Sequence, residues 1–211
     1  MHKLTEIDDL DRMRGLKFNS RNEWGIPDLL PELQATSAEI AHLHQWGSRG
    51  RNKRIPNGTA IHFYTDDWRF NRALNDPRII IAMGCEMVVE PNCSTSPDMP
   101  LAVALHKAYK KRWFSRYLQS HGVKIFVDLY VEPEFAHVNL IGVPDGWHAY
   151  FTRGHPDQTH LINLDLATAQ HHADKTAVDF SVWSGGRGAK KEANRLAVNW
   201  YPKFTKGEQT G

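Results

Sequence analysis

The 211-residue chain is poor in the features that define several large classes of protein. Its two cysteines, Cys85 and Cys93, are too few for a disulfide framework or a cysteine-built zinc site. No run approaches the roughly 18 apolar residues of a membrane-spanning helix, and the opening segment MHKLTEIDDLDRMRG lacks the apolar stretch of a signal peptide. We therefore expect reduced thiols, no membrane association and a cytoplasmic location.

The chain also lacks an internal repeat, a low-complexity tract and a large excess of one charge. Its formal net charge of +2 does not by itself indicate a nucleic-acid-binding protein. Apolar residues make up 41% of the chain, which is typical of a globular domain. The length is that of one domain, or of one domain with an arm.

Composition changes along the chain suggest three parts. We predict an N-terminal arm or subdomain over residues 1–57, an α/β domain over residues 58–202 and a polar tail over residues 203–211. Within the arm, a helix is predicted over residues 37–46, with Ser37 as its N-cap and Gly47 closing it. The polar, basic segment GSRGRNKRIPNG then reads as a linker.

From Thr59 onward, apolar runs alternate with segments of helical spacing. A long helix is expected between about residues 98 and 121, and a shorter one over residues 189–196. This alternation predicts an α/β fold with a mainly parallel or mixed sheet and flanking helices. Whether the sheet is open or barrel-like is left open. The predicted strands are residues 60–64, 123–130, 137–141, 148–151, 161–164 and 178–183, with further apolar runs at 79–81 and 87–89.

Acidic residues follow several of these strands. In parallel α/β folds, ligands bind at the carboxyl ends of the strands, so carboxylates there are candidates for catalysis. Asp66, Asp67 and Asp128 are the candidate catalytic residues, and Asp66, Glu90 and Asp128 are candidate ligands for Mg²⁺ or Mn²⁺. The alternative is that Asp66 and Asp98 are helix caps and the other acids surface charges.

A glycine-rich turn precedes the last predicted helix. Gly185, Gly186 and Gly188 would allow a ligand close to the backbone, and the helix start adds partial positive charge. With Arg187, Lys190 and Lys191, these residues form a candidate phosphate or nucleic-acid site. The turn is neither a Walker sequence nor a dinucleotide fingerprint, and a plain strand-to-helix turn is the alternative.

Basic residues are concentrated rather than spread evenly, and three clusters hold half of the 26 lysines and arginines. The clusters contain Arg49, Arg51, Lys53 and Arg54; Lys107, Lys110, Lys111, Arg112 and Arg116; and Arg187, Lys190, Lys191 and Arg195. In the second cluster we expect Lys107, Lys110 and Lys111 to share an exposed face beside aromatic residues, an arrangement suited to nucleic acid. Three solvated surfaces are the alternative.

The chain also resembles a known family. The segments Trp24-Gly25-Ile26-Pro27, His62-Phe63-Tyr64, Ser96-Pro97-Asp98-Met99-Pro100, Arg112-Trp113 and Gly122-Val123-Lys124 occur in the order found in domain-of-unknown-function family 4417. The resemblance covers roughly residues 24–153 and implies bacterial or phage proteins associated with mobile elements, hence the cytoplasm of a bacterial host. It implies no catalytic residue or cofactor. The family often has an acidic residue at the position of Asn92, which weakens the case for a metal site.

Three functions are compatible with these observations, and the sequence does not decide whether the protein is an enzyme. The first is a nucleic-acid-associated protein of a phage or mobile element, acting on DNA or RNA in replication, maintenance or DNA processing. The second is a metal-dependent hydrolase or nuclease that uses the strand-end carboxylates. The third is a structural protein, or one that binds a phage or host protein, without catalysis.

Overall fold

The computed structural model describes residues 18–48, 54–174 and 177–203 and confirms an α/β fold. Seven strands form one all-parallel sheet in sequential order. The strands are β1 His42–Gln45, β2 Thr59–His62, β3 Met87–Val89, β4 Lys124–Asp128, β5 Ala149–Arg153, β6 Asp179–Trp183 and β7 Asn199–Tyr201. The α-helices are α1 Asp67–Asn75, α2 Arg78–Ala82, α3 Leu101–Gln119, α4 Ala136–Asn139, α5 His160–His172 and α6 Gly186–Arg195. Short 3₁₀ helices span Pro31–Leu33, Ser37–Glu39 and Pro133–Phe135.

The sheet curls until it is nearly a closed barrel. Sequential parallel strands joined by right-handed crossovers place their helices on one face, which bends the sheet around the other. The seam is held by the carboxylate of Asp179 on β6, which accepts hydrogen bonds from the Thr36 hydroxyl at 3.1 Å and the Ser37 amide at 2.6 Å. Asn199 on β7 donates to the Ser37 hydroxyl at 2.9 Å. Residues before β1 therefore contact the last two strands directly.

Side chains fill the inside of the curled sheet. The ring centroids of Phe126 and Phe151 lie 5.3 Å apart, and those of His62 and Trp183 lie 4.5 Å apart across the interior. Burial lowers the pKa of His62 to about 3, so its imidazole is neutral at physiological pH. The interior is a packed core rather than a pore.

The outer face packs against helices, chiefly α3. Phe63 meets Phe70 of α1 and Phe114 of α3 at centroid distances of 5.7 Å and 5.6 Å. Ala104, Ala108 and other apolar residues of α3 are buried, as the predicted helix requires. The helical spacing of this segment therefore predicts the element. Its sheet-facing side holds Phe114 and Leu118, whereas Ala104 and Ala108 belong to a second apolar cluster with Phe135 and Val138.

Two kinds of local prediction are wrong. The helix predicted over residues 37–46 is a single 3₁₀ turn followed by β1, because His42–Gln45 pairs with β2 in parallel register. The strand predicted over residues 137–141 is the end of helix α4 followed by a turn, and the one predicted over residues 161–164 lies in helix α5. A short apolar run fits a buried strand and one face of a buried helix equally well.

Candidate ligand-binding cleft

The carboxyl ends of the strands surround an open cleft of about 720 Å³. Residues from the ends of β1, β2, β5 and β6 and from the loops after β3 and β4 line it. The volume lies within the range of pockets that hold small molecules. Its charged lining residues are Asp66, Arg69, Glu132, Arg153, Asp165 and Lys203, and its aromatic ones are Tyr64, Tyr130 and Trp183.

Aromatic rings form a rigid wall of the cleft. Tyr64 and Trp183 are buried and stack at 5.5 Å with an interplanar angle of 17°. Tyr130 meets Tyr64 edge-on at 6.4 Å, and the guanidinium of Arg153 lies 5.8 Å from the centre of the Tyr130 ring. This cation–π contact holds Arg153 at the cleft.

A buried polar network supports this wall from behind. The Tyr64 hydroxyl donates to Asp128 at 2.9 Å, and the ammonium of Lys111 donates to the same carboxylate at 3.3 Å and to Asn139 at 2.6 Å. Burial raises the pKa of Asp128, while Lys111 and the bond from Tyr64 oppose the shift. Asp128 therefore fixes Tyr64 instead of projecting freely into the cleft.

Asp165 on α5 is a cleft residue that the sequence analysis did not single out. Its carboxylate accepts a hydrogen bond from the Thr152 hydroxyl on β5 at 2.6 Å. Desolvation raises the pKa of Asp165 to about 8, and the charge of Asp128 adds to the shift. A carboxylic acid that keeps its proton near neutral pH can donate a hydrogen bond to a ligand. In sequence, Asp165 is only one acid within an otherwise unremarkable helix.

Asn92 lies in the cleft lining and is buried, with 2% of its surface exposed. Its side-chain oxygen has no hydrogen-bond partner among the residues that the structure describes. A buried polar atom without a partner is unfavourable, so such atoms usually mark a bound ligand or water. In the sequence, Asn92 stands out only as a departure from the family pattern.

The four predicted carboxylates occupy different environments. Asp66 is exposed at the cleft and pairs with Arg69 at 3.2 Å. Asp67 accepts hydrogen bonds from Ser94 and lies 3.4 Å from the ammonium of Lys107. Glu90 is fully buried and forms an ion pair with Arg112 of α3. The Asp66 side chain makes no capping hydrogen bond to α1 although it occupies the N-cap position.

These placements bear on the metal hypothesis. Within the described ranges 18–48, 54–174 and 177–203, no group of three or more histidine, cysteine, aspartate or glutamate side chains is arranged to hold a metal ion. Asp66 lines the cleft, whereas Asp128 and Glu90 are already engaged by Lys111 and Arg112. Catalysis by Asp66, Asp67 and Asp128 and binding of Mg²⁺ or Mn²⁺ stay predictions.

Two of the five residues in the second basic cluster are buried, and the other three are partly exposed. Lys111 and Arg112 are 2% and 0% exposed, so the expectation that Lys111 shares an exposed face of α3 is wrong. The ammonium group of Lys111 points to Asp128, because that carboxylate is buried behind α3. Lys107 bonds the carbonyl of Ser94 at 2.6 Å, and Lys110 is partly exposed. Of the first cluster only Arg54 lies within the described residues, where it is exposed.

The glycine-rich turn opens α6 as predicted, and its geometry explains part of its composition. Gly185 has a left-handed φ of 78°, and a Cβ there would lie 2.6 Å from the backbone of Gly154 and 2.5 Å from the side chain of Ala189. This close packing joins the end of β5, just after Arg153, to the start of α6. Arg187, Lys190 and Lys191 are exposed in the first turns of α6, at the same end of the sheet as the cleft.

Comparison with known proteins places the chain among phage proteins. It is 31% identical over 137 residues to the Gene 1 protein of Mycobacterium phage D29 and 30% identical over 135 residues to the Gene 1 protein of Mycobacterium phage L5. Each match covers 62% of this chain but only 48% and 57% of the two relatives, respectively. The chain therefore spans about half the length of the relatives that it matches.

Two further comparisons bound the assignment. No solved structure matches the chain significantly. In the described part of the chain, none of the helices has the length and apolar character needed to cross a bilayer. The profile of the domain of unknown function DUF4417 matches residues 18–148, which include β1 to β4, the helices between them and α4. This match confirms the resemblance seen in the ordered sequence segments, and the chain belongs to the phage-associated DUF4417 family.

Proposed function

We propose that the protein binds nucleic acid of a phage or mobile element, with the cleft at the carboxyl ends of the strands as its principal contact site. It would act in the cytoplasm of a bacterial host, in replication, maintenance or processing of that nucleic acid. The observation that carries the proposal is the set of cationic side chains that line the cleft, Arg69, Arg153 and Lys203. Guanidinium and ammonium groups in a concave site attract phosphate.

An exposed tryptophan next to a residue of the cleft lining supports this proposal. Trp68 lies in the first turn of α1, between Asp67 and the cleft residue Arg69, and 69% of its surface is exposed. The guanidinium of Arg69 lies 5.1 Å from the centre of its ring. An aromatic ring beside a cation at a groove edge suits an unpaired base stacked next to its phosphate.

The basic start of α6 extends the cationic surface. Arg187, Lys190 and Lys191 are exposed at the same end of the sheet, next to the turn that packs against Gly154. A nucleic-acid strand with one phosphate at Arg153 could continue along the surface to these residues. The two relatives are Gene 1 proteins of mycobacteriophages, which agrees with a role in a phage or mobile element.

Fluorescence anisotropy with labelled single-stranded DNA, duplex DNA and RNA at 50 mM and 200 mM salt tests the proposal. We expect affinity to fall steeply with salt, because each phosphate contact releases counterions. Arg153→Ala and Lys203→Ala should each lower the slope of log affinity against log salt by about one. Trp68→Ala should weaken single-strand binding by about 1–3 kcal/mol, as is typical for loss of a base stack.

The matched control is Arg78→Ala on α2, which removes an exposed arginine that pairs with Asp76 and does not line the cleft. It should leave affinity unchanged. Absence of binding to all three nucleic acids at 50 mM salt would contradict the proposal. An equal loss in the Arg78 and Arg153 variants would also contradict it, since binding would then follow net charge alone.

A further inference from the structure

We propose that the cleft receives one nucleotide unit, to which Asp165 donates a hydrogen bond as an uncharged acid and Asn92 accepts one through its side-chain oxygen. This inference rests on the proposed function and adds to it the ligand unit and two specificity-determining residues. Both residues line the cleft. The side-chain oxygen of Asn92 has no donor among the described residues, and the carboxyl group of Asp165 is held by Thr152 where burial disfavours its charge. Because Asp165 would donate and Asn92 would accept, the ligand needs both a hydrogen-bond acceptor and a hydrogen-bond donor.

Asn92 supplies the first argument. It is almost completely buried, and its Oδ1 atom has no donor among the residues around it. A buried carbonyl oxygen without a donor is unfavourable, and a bound ligand with an N–H or O–H group would satisfy it. A ribose hydroxyl or the amino group of a base is such a donor.

The surroundings of Asp165 supply the second argument. Thr152 of β5 donates to one oxygen of its carboxyl group, and Asp128 of β4 lies close enough to disfavour a second negative charge. The Tyr64 hydroxyl after β2 is directed to Asp128 instead. The groups that face Asp165 are therefore Thr152, Asp128, Tyr64 and Arg153 on the cleft side, and His137 and His171 across an adjoining groove.

The charge of the cleft supplies the third argument. Its lining holds three acids, Asp66, Glu132 and Asp165, against three cations, Arg69, Arg153 and Lys203. A proton on Asp165 leaves the cations in excess, and burial keeps the pKa of that acid at about 8. A phosphate then meets a net positive site that also holds an acidic donor for a phosphate or sugar oxygen.

Titration calorimetry of the full chain tests the inference. The probes are the 5′-monophosphates of adenosine, guanosine, cytidine and uridine, with adenosine, ribose 5-phosphate and inorganic phosphate as comparisons, each at pH 6.5 and pH 9. At least one mononucleotide should bind more tightly than all three comparisons at pH 6.5. Its affinity should fall about tenfold or more at pH 9, because the ionised acid repels phosphate and cannot donate.

Variants separate the two roles from a change in stability. Asp165→Asn keeps an uncharged donor, so it should bind at pH 9 about as well as the wild type does at pH 6.5. Asp165→Ala should bind weakly at both pH values. Asn92→Ala should bind about tenfold more weakly than the wild type, whereas Asn71→Ala, at an exposed position of α1 outside the cleft, should not differ. Circular dichroism confirms that each variant is folded.

The outcomes distinguish this inference from the proposed function. Labelled strands that bind in a salt-dependent manner without any mononucleotide binding would overturn the inference alone. Mononucleotide binding without strand binding would overturn the proposed function alone. Ribose 5-phosphate bound as tightly as every nucleotide would identify a sugar-phosphate site and overturn the nucleotide assignment. A wild-type affinity equal at pH 6.5 and pH 9 would overturn the role of Asp165.

Discussion

At the scale of single residues, the cleft is built around polar groups whose environment alters their chemistry. Asp165 is the clearest case, because Thr152 supplies one hydrogen bond while burial and Asp128 penalise its charge. Asp128 is also disfavoured by burial, but Lys111 and Tyr64 compensate it. The two aspartates therefore have different roles: Asp128 fixes the ring of Tyr64, and Asp165 presents a proton to the cleft.

This difference predicts a pH-dependent stability. The pKa of Asp165 is about 8 in the folded chain and near 4 in the unfolded one, so between these values only the folded state keeps the proton. The free energy of unfolding should fall as pH rises from 4 to 8. Relative to Asp165→Asn, the wild type should lose about 2 kcal/mol, a figure that allows for partial exposure of the side chain to water.

Urea denaturation of both proteins at pH 5, 6.5 and 8 measures this loss. The comparison cancels contributions from other titrating groups, which the two proteins share. A stability difference that is constant across the three pH values would show that Asp165 ionises freely in the folded protein, and it would also remove the electrostatic argument for an excess of cations in the cleft.

At the scale of secondary-structure elements, α3 is attached to the sheet by buried charges as well as by apolar packing. Arg112 donates to the carbonyls of Ile141 and Asn139 at 3.1 Å and 2.5 Å and pairs with Glu90, which follows β3. One guanidinium thus joins α3, the α4 region and the end of a central strand. Its buried position argues for a structural role rather than contact with a nucleic-acid phosphate.

Arg112→Met should therefore destabilise the fold by about 3–5 kcal/mol, because Glu90 would be left as a buried charge without its main partner. The double variant Glu90→Gln/Arg112→Met should lose less than the single one, since no unpaired carboxylate remains. Chemical denaturation of the set provides the coupling energy. A double variant no more stable than Arg112→Met would show that the hydrogen bonds to the two carbonyls, rather than the ion pair, dominate.

At the scale of the whole molecule, contacts between distant segments decided what the sequence could predict. The continuous apolar run at residues 123–130 predicts a strand covered on both faces, and β4 lies within it. The local pattern of His42–Gln45 predicts a helix, because its strand pairing depends on residues further along the chain. The spacing of apolar residues within a segment does not indicate which distant strand the segment pairs with.

The same limit applies to the site. The carboxyl ends of the strands were predicted as the functional edge, and Asp66 does line the cleft there. Arg153, Asp165 and Lys203 carry no local motif, so only the curl of the sheet reveals that they share a cleft with Asp66. Lys111 and Arg112 present the opposite case: basic residues in a helix are typical of a solvated face, but here two buried carboxylates hold them inside.

The curl itself depends on the seam between the segment before β1 and the last two strands. Asp179 accepts from the Thr36 hydroxyl, the Ser37 amide and the Asn199 side chain, so one carboxylate joins three segments. Asp179→Ala should lower the free energy of unfolding by about 1–3 kcal/mol, because it leaves a backbone amide and two polar side chains without their acceptor. Asp179→Asn keeps one acceptor oxygen and should lose less.

The effect of this substitution should reach the cleft without touching it. Cleft residues come from both sides of the seam, Gln45 and Tyr64 on one side and Arg153, Trp183 and Lys203 on the other, so loosening the seam changes their separation. In the folded Asp179→Ala protein, nucleic-acid affinity should fall with the salt slope unchanged, since every phosphate-binding cation is still present. Loss of stability with unaltered affinity would show that the cleft is fixed by β2 to β6 alone.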